Sequence, residues 1–320
     1  MTSIVSQFKL LFLLIMKTGI YRGIIFLMLA ELCFAGATVF VKFATTGTEI
    51  PAIEASFFRF FLGFFITGFA MFKSKLSFKP NKTRLVIWRA ILNTIALIFF
   101  FLSVKHTTLT NSNMLNMTYP AFIFLFTPFI TKEKITLIQG FYLGLTMFGI
   151  YLVIHPDFAN VNIGDWYGLL SGITAALAIM TLRMAREYDS TTLILFYLMA
   201  IGFILNGALL IPVFILPNQK QFIEIMASAL LGFAGQAFIT SGYRYIEAAK
   251  GSLVSSSRII FSVVLGILIF SESISLRWIV GGSFILISLI GVSWPRKIKY
   301  DSFLIFINEK LGAIFSIFKK

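Results

Sequence analysis

Several residue types are scarce in this 320-residue chain, and each scarcity removes a class of chemistry. The single cysteine, Cys33, forbids an intrachain disulfide and any cysteine metal cluster. The two histidines, His106 and His155, stand at the ends of apolar runs, which leaves no basis for a histidine metal site. No metal and no cofactor is expected. Charged residues amount to 12%, too few to cover a soluble domain of this length. Acidic residues number 13 against 27 basic ones. In so apolar a chain the resulting +14 is not a nucleic-acid signal; it fits lysine and arginine gathered on loops beside anionic lipid. HExxH, GxSxG and paired intramembrane aspartates are all missing, so an intramembrane enzyme is a poor reading.

What is abundant is apolar length. Hydrophobic residues make up 58% and mean hydropathy is +0.91. A span needs about 20 apolar residues to cross the hydrocarbon. Ten such runs are found, near 22–43, 52–72, 84–104, 107–130, 136–155, 164–185, 190–215, 222–245, 249–271 and 276–294. All are expected to be helical, because a backbone in lipid must satisfy its own hydrogen bonds. With the N-terminus inside, 20 lysines and arginines fall on the cytoplasmic side and only Lys42, Lys105, Lys220 and Arg277 on the other. That asymmetry predicts cytoplasmic N- and C-termini and an even number of spans. Residues 1–20 have a short apolar run between lysines and no small-residue cleavage site, which reads as an interfacial helix. In the tail, 300–320, Phe303, Phe306, Ile307, Leu311, Ile314 and Phe318 recur at helical spacing, predicting a second amphipathic helix on the membrane.

The chain also resembles itself. At an offset of 139 residues TKEKITL meets FSESISL, Glu133 meets Glu272 and Pro156 meets Pro295. Spans one to five therefore correspond to spans six to ten, giving repeats at 21–156 and 160–295. Five is odd, so the halves are inverted relative to each other, an architecture that places a binding site near the midplane. Ten spans in two five-helix repeats, IPAIEASFFRFF with Pro51 and Arg59, and YPAFIFLFTPFITKEKIT with Pro120 and Glu133 together resemble the EamA-like branch of the drug/metabolite transporter superfamily. The resemblance covers about residues 20 to 295. It departs from the family pattern at Lys132, Ser271, Ile259 and Tyr197. It implies a secondary transporter of small metabolites, S-adenosylmethionine and amino acids among them, in a bacterial inner membrane. Efflux of amino acids or toxic compounds is the alternative. The partners implied are a small-molecule solute, the bilayer, and a coupling proton or exchanged solute; the oligomeric state is not indicated.

Candidate site residues come from polar groups placed within the spans. Span four carries NSNMLNMTYP; Asn113, Asn116 and Pro120 share one face, and Asn116 and Tyr119 lie about 14 and 18 Å deep. Pro120 cannot donate to the Asn116 carbonyl, so a kinked helix is expected there. The asparagines either bind solute or serve as packing glue. At the 139 offset, span nine shows Ser252, Ser255, Arg258 and Ser262 in the matching place. Glu31 and Arg258 fall at similar depth, about 13 and 12 Å from the cytoplasmic end. Pairing them is the simplest solution for two intramembrane charges, either as solute and proton contacts or as a structural salt bridge. Asn93 lies about as deep as Glu31. Arg59 is expected to be structural, with anion steering second, and Arg89 to snorkel to the interface. Asn206 and Gln236 are weaker candidates. Small-xxx-small stripes at Gly164, Gly168 and Gly172, and at Gly140 and Gly144, predict close helix packing.

Overall fold

The computed structural model describes residues 19–106, 112, 115–131, 133–154, 162–271 and 276–293. Both terminal amphipathic helices, Asn113, His155, Glu272, Pro156 and Pro295 lie outside the described residues. The helices are α1 Gly19–Thr45, α2 Ala52–Lys73, α3 Thr83–His106, α4 Tyr119–Ile130, α5 Leu137–Ile154, α6 Ile163–Ala185, α7 Thr191–Leu210, α8 Gln219–Gly242, α9 Ala248–Ser255, α10 Ser257–Phe270 and α11 Leu276–Ser293. α9 and α10 are two pieces of one apolar stretch. Eight helical stretches are long and apolar enough to cross a membrane, and Tyr119–Ile130 and Leu137–Val153 are shorter apolar helices. The protein is an all-α polytopic membrane protein of ten spans. Its outward faces are oily: Leu137, Phe72 and Phe129 are exposed and fit lipid contact.

Local chemistry sets where helices begin. Asn162 and Asn218 each close a reciprocal capping box, with Asp165 and with Gln221. Ser190 caps α7 through the Leu193 amide. The α2–α3 connection turns at Lys75, whose φ of 51° is left-handed.

The helix contacts have twofold character. α3 packs on α6 as α8 packs on α1; α4 packs on α6 as α10 packs on α1; α3 meets α7 as α8 meets α2. α2 pairs with α7, and α5 with α11. Advancing each partner by five spans converts the first six pairs into one another and returns α2–α7 and α5–α11 to themselves, so the two halves are related by a pseudo-twofold axis. Each half has an odd number of spans and the halves run in opposite directions.

Lipid supplies no hydrophobic drive for helices to meet, so close packing must do it. A Cβ on Gly149 would sit 2.6 Å from the Gly281 carbonyl oxygen, and one on Gly281 2.6 Å from that of Gly149, so α5 and α11 cross backbone to backbone. Gly168 and Gly172 of α6 receive the chain at Leu115 and Asn116, at 2.7 Å from the Leu115 oxygen in the case of Gly172. Gly140 and Gly144, by contrast, have nothing within 4 Å of a Cβ. That stripe is not a packing face: α5 turns its opposite side, with Gly149, Thr146 and Tyr142, toward α11.

Spans four and nine are both broken. Residues 115–116 are helical, Met117 and Thr118 form a turn, and α4 restarts at Tyr119. The Thr118 amide donates to Leu115 and the Ala121 amide to Thr118. In span nine the Ser256 amide donates to Leu253 and the Ile259 amide to Ser256, the same pattern 138 residues later. The expected kink at Pro120 is thus a restart: Pro120 occupies the first turn of α4, where a missing N–H costs nothing.

At the end of the bundle where α1, α3 and α9 begin, the lysine-rich end, two carboxylates cross between the halves. Glu133 Oε2 accepts the Ala248 amide at 3.1 Å, and its Oε1 lies 3.5 Å from Arg183 Nε. Asp189 accepts the amides of Asn81 and Lys82 at 2.7 and 3.1 Å. Each carboxylate comes from one half and holds the start of a helix in the other, where the helix dipole favours negative charge. Tyr197, which donates to the Phe78 carbonyl at 3.0 Å, ties the same loops.

Candidate functional site

Beside the break in span nine, side chains from both halves come to one place. Arg258 sits in the first turn of α10, just past the break. Its Nε donates to Glu31 Oε2 of α1 at 2.5 Å. Its guanidinium also lies 4.7 Å from the Phe34 ring, one turn along α1. Glu31 is fully buried, whereas 28% of the Arg258 side chain is accessible. Phe34 is held by Gly235, where a Cβ would fall 2.8 Å from the ring.

Around this pair the polar groups are incompletely satisfied. Glu31 Oε1, Ser255 Oγ and Tyr243 OH are buried and make no hydrogen bond of good geometry, although Ser255 lies close enough to Glu31, Tyr119 and Tyr243 to interact with each. Ser255 and Tyr243 face Glu31, and Tyr119 faces both Glu31 and Arg258. Tyr243 is fully buried and packs on Gly251, where a Cβ would meet its ring at 2.5 Å. Buried polar atoms without partners are costly in a static core and are accounted for where a ligand or water completes them.

Two further arginines line the same region. Arg89 on α3 is 1% exposed, so it does not snorkel; its Nη2 lies 3.5 Å from Gln236 Oε1 and its Nε has no partner. The reason is local: Gln236 of α8 and Tyr243, which caps its end, offer it polar company inside the bundle. Arg59 on α2 lies across Gly232 of α8, where a Cβ would fall 2.5 Å from its Cδ. Its Nε is unpartnered, and it is within electrostatic reach of Arg258.

The asparagines fare differently. Asn116 Nδ2 donates to Ser171 Oγ at 2.7 Å, and Ser171 donates to the Ala96 carbonyl at 2.8 Å. That amide joins span four to α6 and α3. Asn93, four residues beyond Arg89 on α3, is half-buried. Asn206 accepts from Ser56 and donates to Gly202, tying α7 to α2. Ser262 is exposed. Tyr243 and Arg89 were not among the expected site residues. Their only signal in the sequence was a polar side chain near a span end, which describes many interface residues.

With this geometry in view, comparison with known proteins is informative. The sequence profile of the EamA-like transporter family matches residues 21–155 and again 162–294. The chain belongs to the EamA-like transporter family. Among curated relatives of this EamA-like protein, an uncharacterized transporter of Helicobacter pylori (strain ATCC 700392 / 26695) is 28% identical over 305 residues, covering 89% of this chain and 98% of the relative. The pseudopaline exporter CntI of Pseudomonas aeruginosa (strain UCBPP-PA14) is 24% identical, covering 86% and 97%. Solute carrier family 35 member G1 of Mus musculus is 24% identical, covering 86% and 78%. A solved crystal structure superposes with a TM-score of 0.72 at 13% identity, over 84% of this chain and 95% of that one, a likeness of fold.

Proposed function

We propose that this EamA-like protein is a secondary transporter that moves a small polar or zwitterionic metabolite across the bacterial inner membrane by alternating access, with both termini cytoplasmic. The observation that carries the reading is the Glu31–Arg258 pair, drawn from opposite halves, with Glu31 Oε1, Ser255 Oγ and Tyr243 OH making no hydrogen bond of good geometry. Arg258 meets a carboxylate of the solute and Glu31 a cationic group, while Tyr119, Ser255 and Asn93 complete the polar contacts. The two repeats, 21–156 and 160–295, rock against each other about this site. A solute exchanged in the opposite direction, or a proton carried on Glu31, drives net movement. Export is the second reading, and the similarity to a pseudopaline exporter favours it.

The test is reconstitution of the purified protein in liposomes loaded with a panel of amino acids and related metabolites, S-adenosylmethionine included. Saturable counterflow of a panel member, lost in Arg258→Gln, is the expected result. Non-saturating conductance would assign a channel instead, and chemical conversion of a solute an enzyme.

A further inference from the structure

The charge count of the site is unbalanced. Arg258 is ion-paired with Glu31, Arg59 lies within electrostatic reach of Arg258, and Arg89 lies beside Tyr243; among the described residues neither Arg59 nor Arg89 forms an ion pair. Three arginines against one glutamate leave two positive charges without a counter-ion. Glu54, the other buried carboxylate of these spans, lies in the first turn of α2 and forms no ion pair with them. The surplus is also distributed. Arg59 lies seven residues into α2 from its Ala52 end, and Arg89 six residues into α3 from its Thr83 end. The two therefore approach the Glu31–Arg258 pair from opposite sides of the membrane, each about 9–10 Å in. Both present a buried Nε with no partner. A guanidinium in a bundle interior needs an anion or water, and its planar fork fits carboxylate and phosphate oxygens two at a time.

Building on the transporter reading above, we propose that Arg59 and Arg89 are solute-binding residues and that the solute is an amino compound with at least two anionic groups, carboxylate or phosphate. One anionic group and the amine are taken by Arg258 and Glu31. The remaining anionic groups are taken by Arg59 and Arg89, and Tyr243, beside Arg89, donates a neutral hydrogen bond. A simple zwitterion leaves both outer arginines unmatched.

The experiment uses the purified full-length protein and reads melting temperature against glutamine, glutamate and γ-carboxyglutamate, which add one carboxylate at each step, with O-phosphoserine as the phosphate arm. Affinity is expected to rise about tenfold with each added charge. Arg59→Gln and Arg89→Gln should each reduce the preference for γ-carboxyglutamate over glutamine about tenfold, and Arg89→Lys should retain part of it. Without ligand, both glutamine variants should melt no lower than the parent, because each removes an uncompensated buried charge. A preference for O-phosphoserine over glutamate supports the proposal with phosphate as the anion. Equal stabilisation by all four compounds overturns it and leaves the transporter reading standing. So does a lower ligand-free melting temperature with unchanged charge preference, which would make the arginines structural. Binding of none of the compounds, alongside saturable counterflow of an uncharged solute, overturns the inference alone; absence of counterflow for every solute overturns the reading beneath it.

Discussion

Spans four and nine share a backbone and differ in chemistry. Both break at mid-depth, at Met117–Thr118 and at Ser256, and both restart within one residue of the same repeat position. Beside the fourth-span break the polar side chain is Asn116, whose amide is engaged with Ser171 and through it with Ala96. Beside the ninth-span break Ser255 has a hydroxyl without a hydrogen bond of good geometry and Arg258 holds Glu31. One break is closed into the scaffold and the other stays chemically open. Internal symmetry has fixed where the helices are interrupted, while the residues have divided the labour between support and contact.

The largest effect should come from the open break. Arg258→Gln strands the fully buried Glu31 carboxylate and should lower stability by roughly 3–5 kcal/mol. Glu31→Gln strands an arginine that is partly accessible and should cost less. The double variant should recover most of the loss. Melting temperatures in a double-mutant cycle decide the point: additive losses would show that the two charges do not stabilise each other. Transport separates the roles, since a purely structural pair recovers uptake in the double variant and a solute-binding pair does not.

A finer contrast sets one break against the other. Asn116→Ala removes the bond to Ser171 and should cost about 1–2 kcal/mol of stability with solute affinity kept. Ser255→Ala removes a hydroxyl that makes no hydrogen bond of good geometry, so stability should stay within about 0.5 kcal/mol while solute affinity falls several-fold. Isothermal binding and melting curves on the two variants check this, and the opposite pattern would move the contact role to span four.

This division was only partly legible in the sequence. The ten spans and the inverted halves follow from apolar length, charge asymmetry and the 139-residue self-match, all long-range averages that survive local error. Glu31 and Arg258 could be matched because helical rise converts residue number into depth. The breaks could not be located, because Met117, Thr118 and Ser256 are ordinary residues in a continuous helix; Pro120 drew attention to the right turn. Partners across helices were also hidden. Nothing in NSNMLNMTYP announces Ser171, and nothing around Arg89 announces Gln236, so neither the Asn116–Ser171 bond nor the burial of Arg89 could be read from the sequence.

The smallest expected effect concerns Glu133, which follows span four and holds the first amide of span nine. Burial raises its carboxyl above the ordinary value of 4.5, and Arg183 offsets part of that rise. A carboxyl raised in the folded state contributes stability that is complete below its unfolded value and is lost as pH climbs through the folded one. The melting temperature of the parent relative to Glu133→Gln should therefore decline as pH rises from the ordinary carboxylate range through the raised folded-state value. A rise over that window would mean that Arg183 outweighs burial and that the contact strengthens on ionisation.

Glu133 and Asp189 also have a consequence for how the lysine-rich end can move. Each half lends one carboxylate and accepts one, so the two attachments are reciprocal. Sliding a helix other than those that carry these contacts leaves both intact. Parting the halves strips the amides of Ala248, Asn81 and Lys82 in a single displacement. If one attachment lets go first, the other becomes a pivot, and the halves swing about it before they separate. Separation of the halves at this end therefore has to break contacts at both carboxylates, in whichever order they yield.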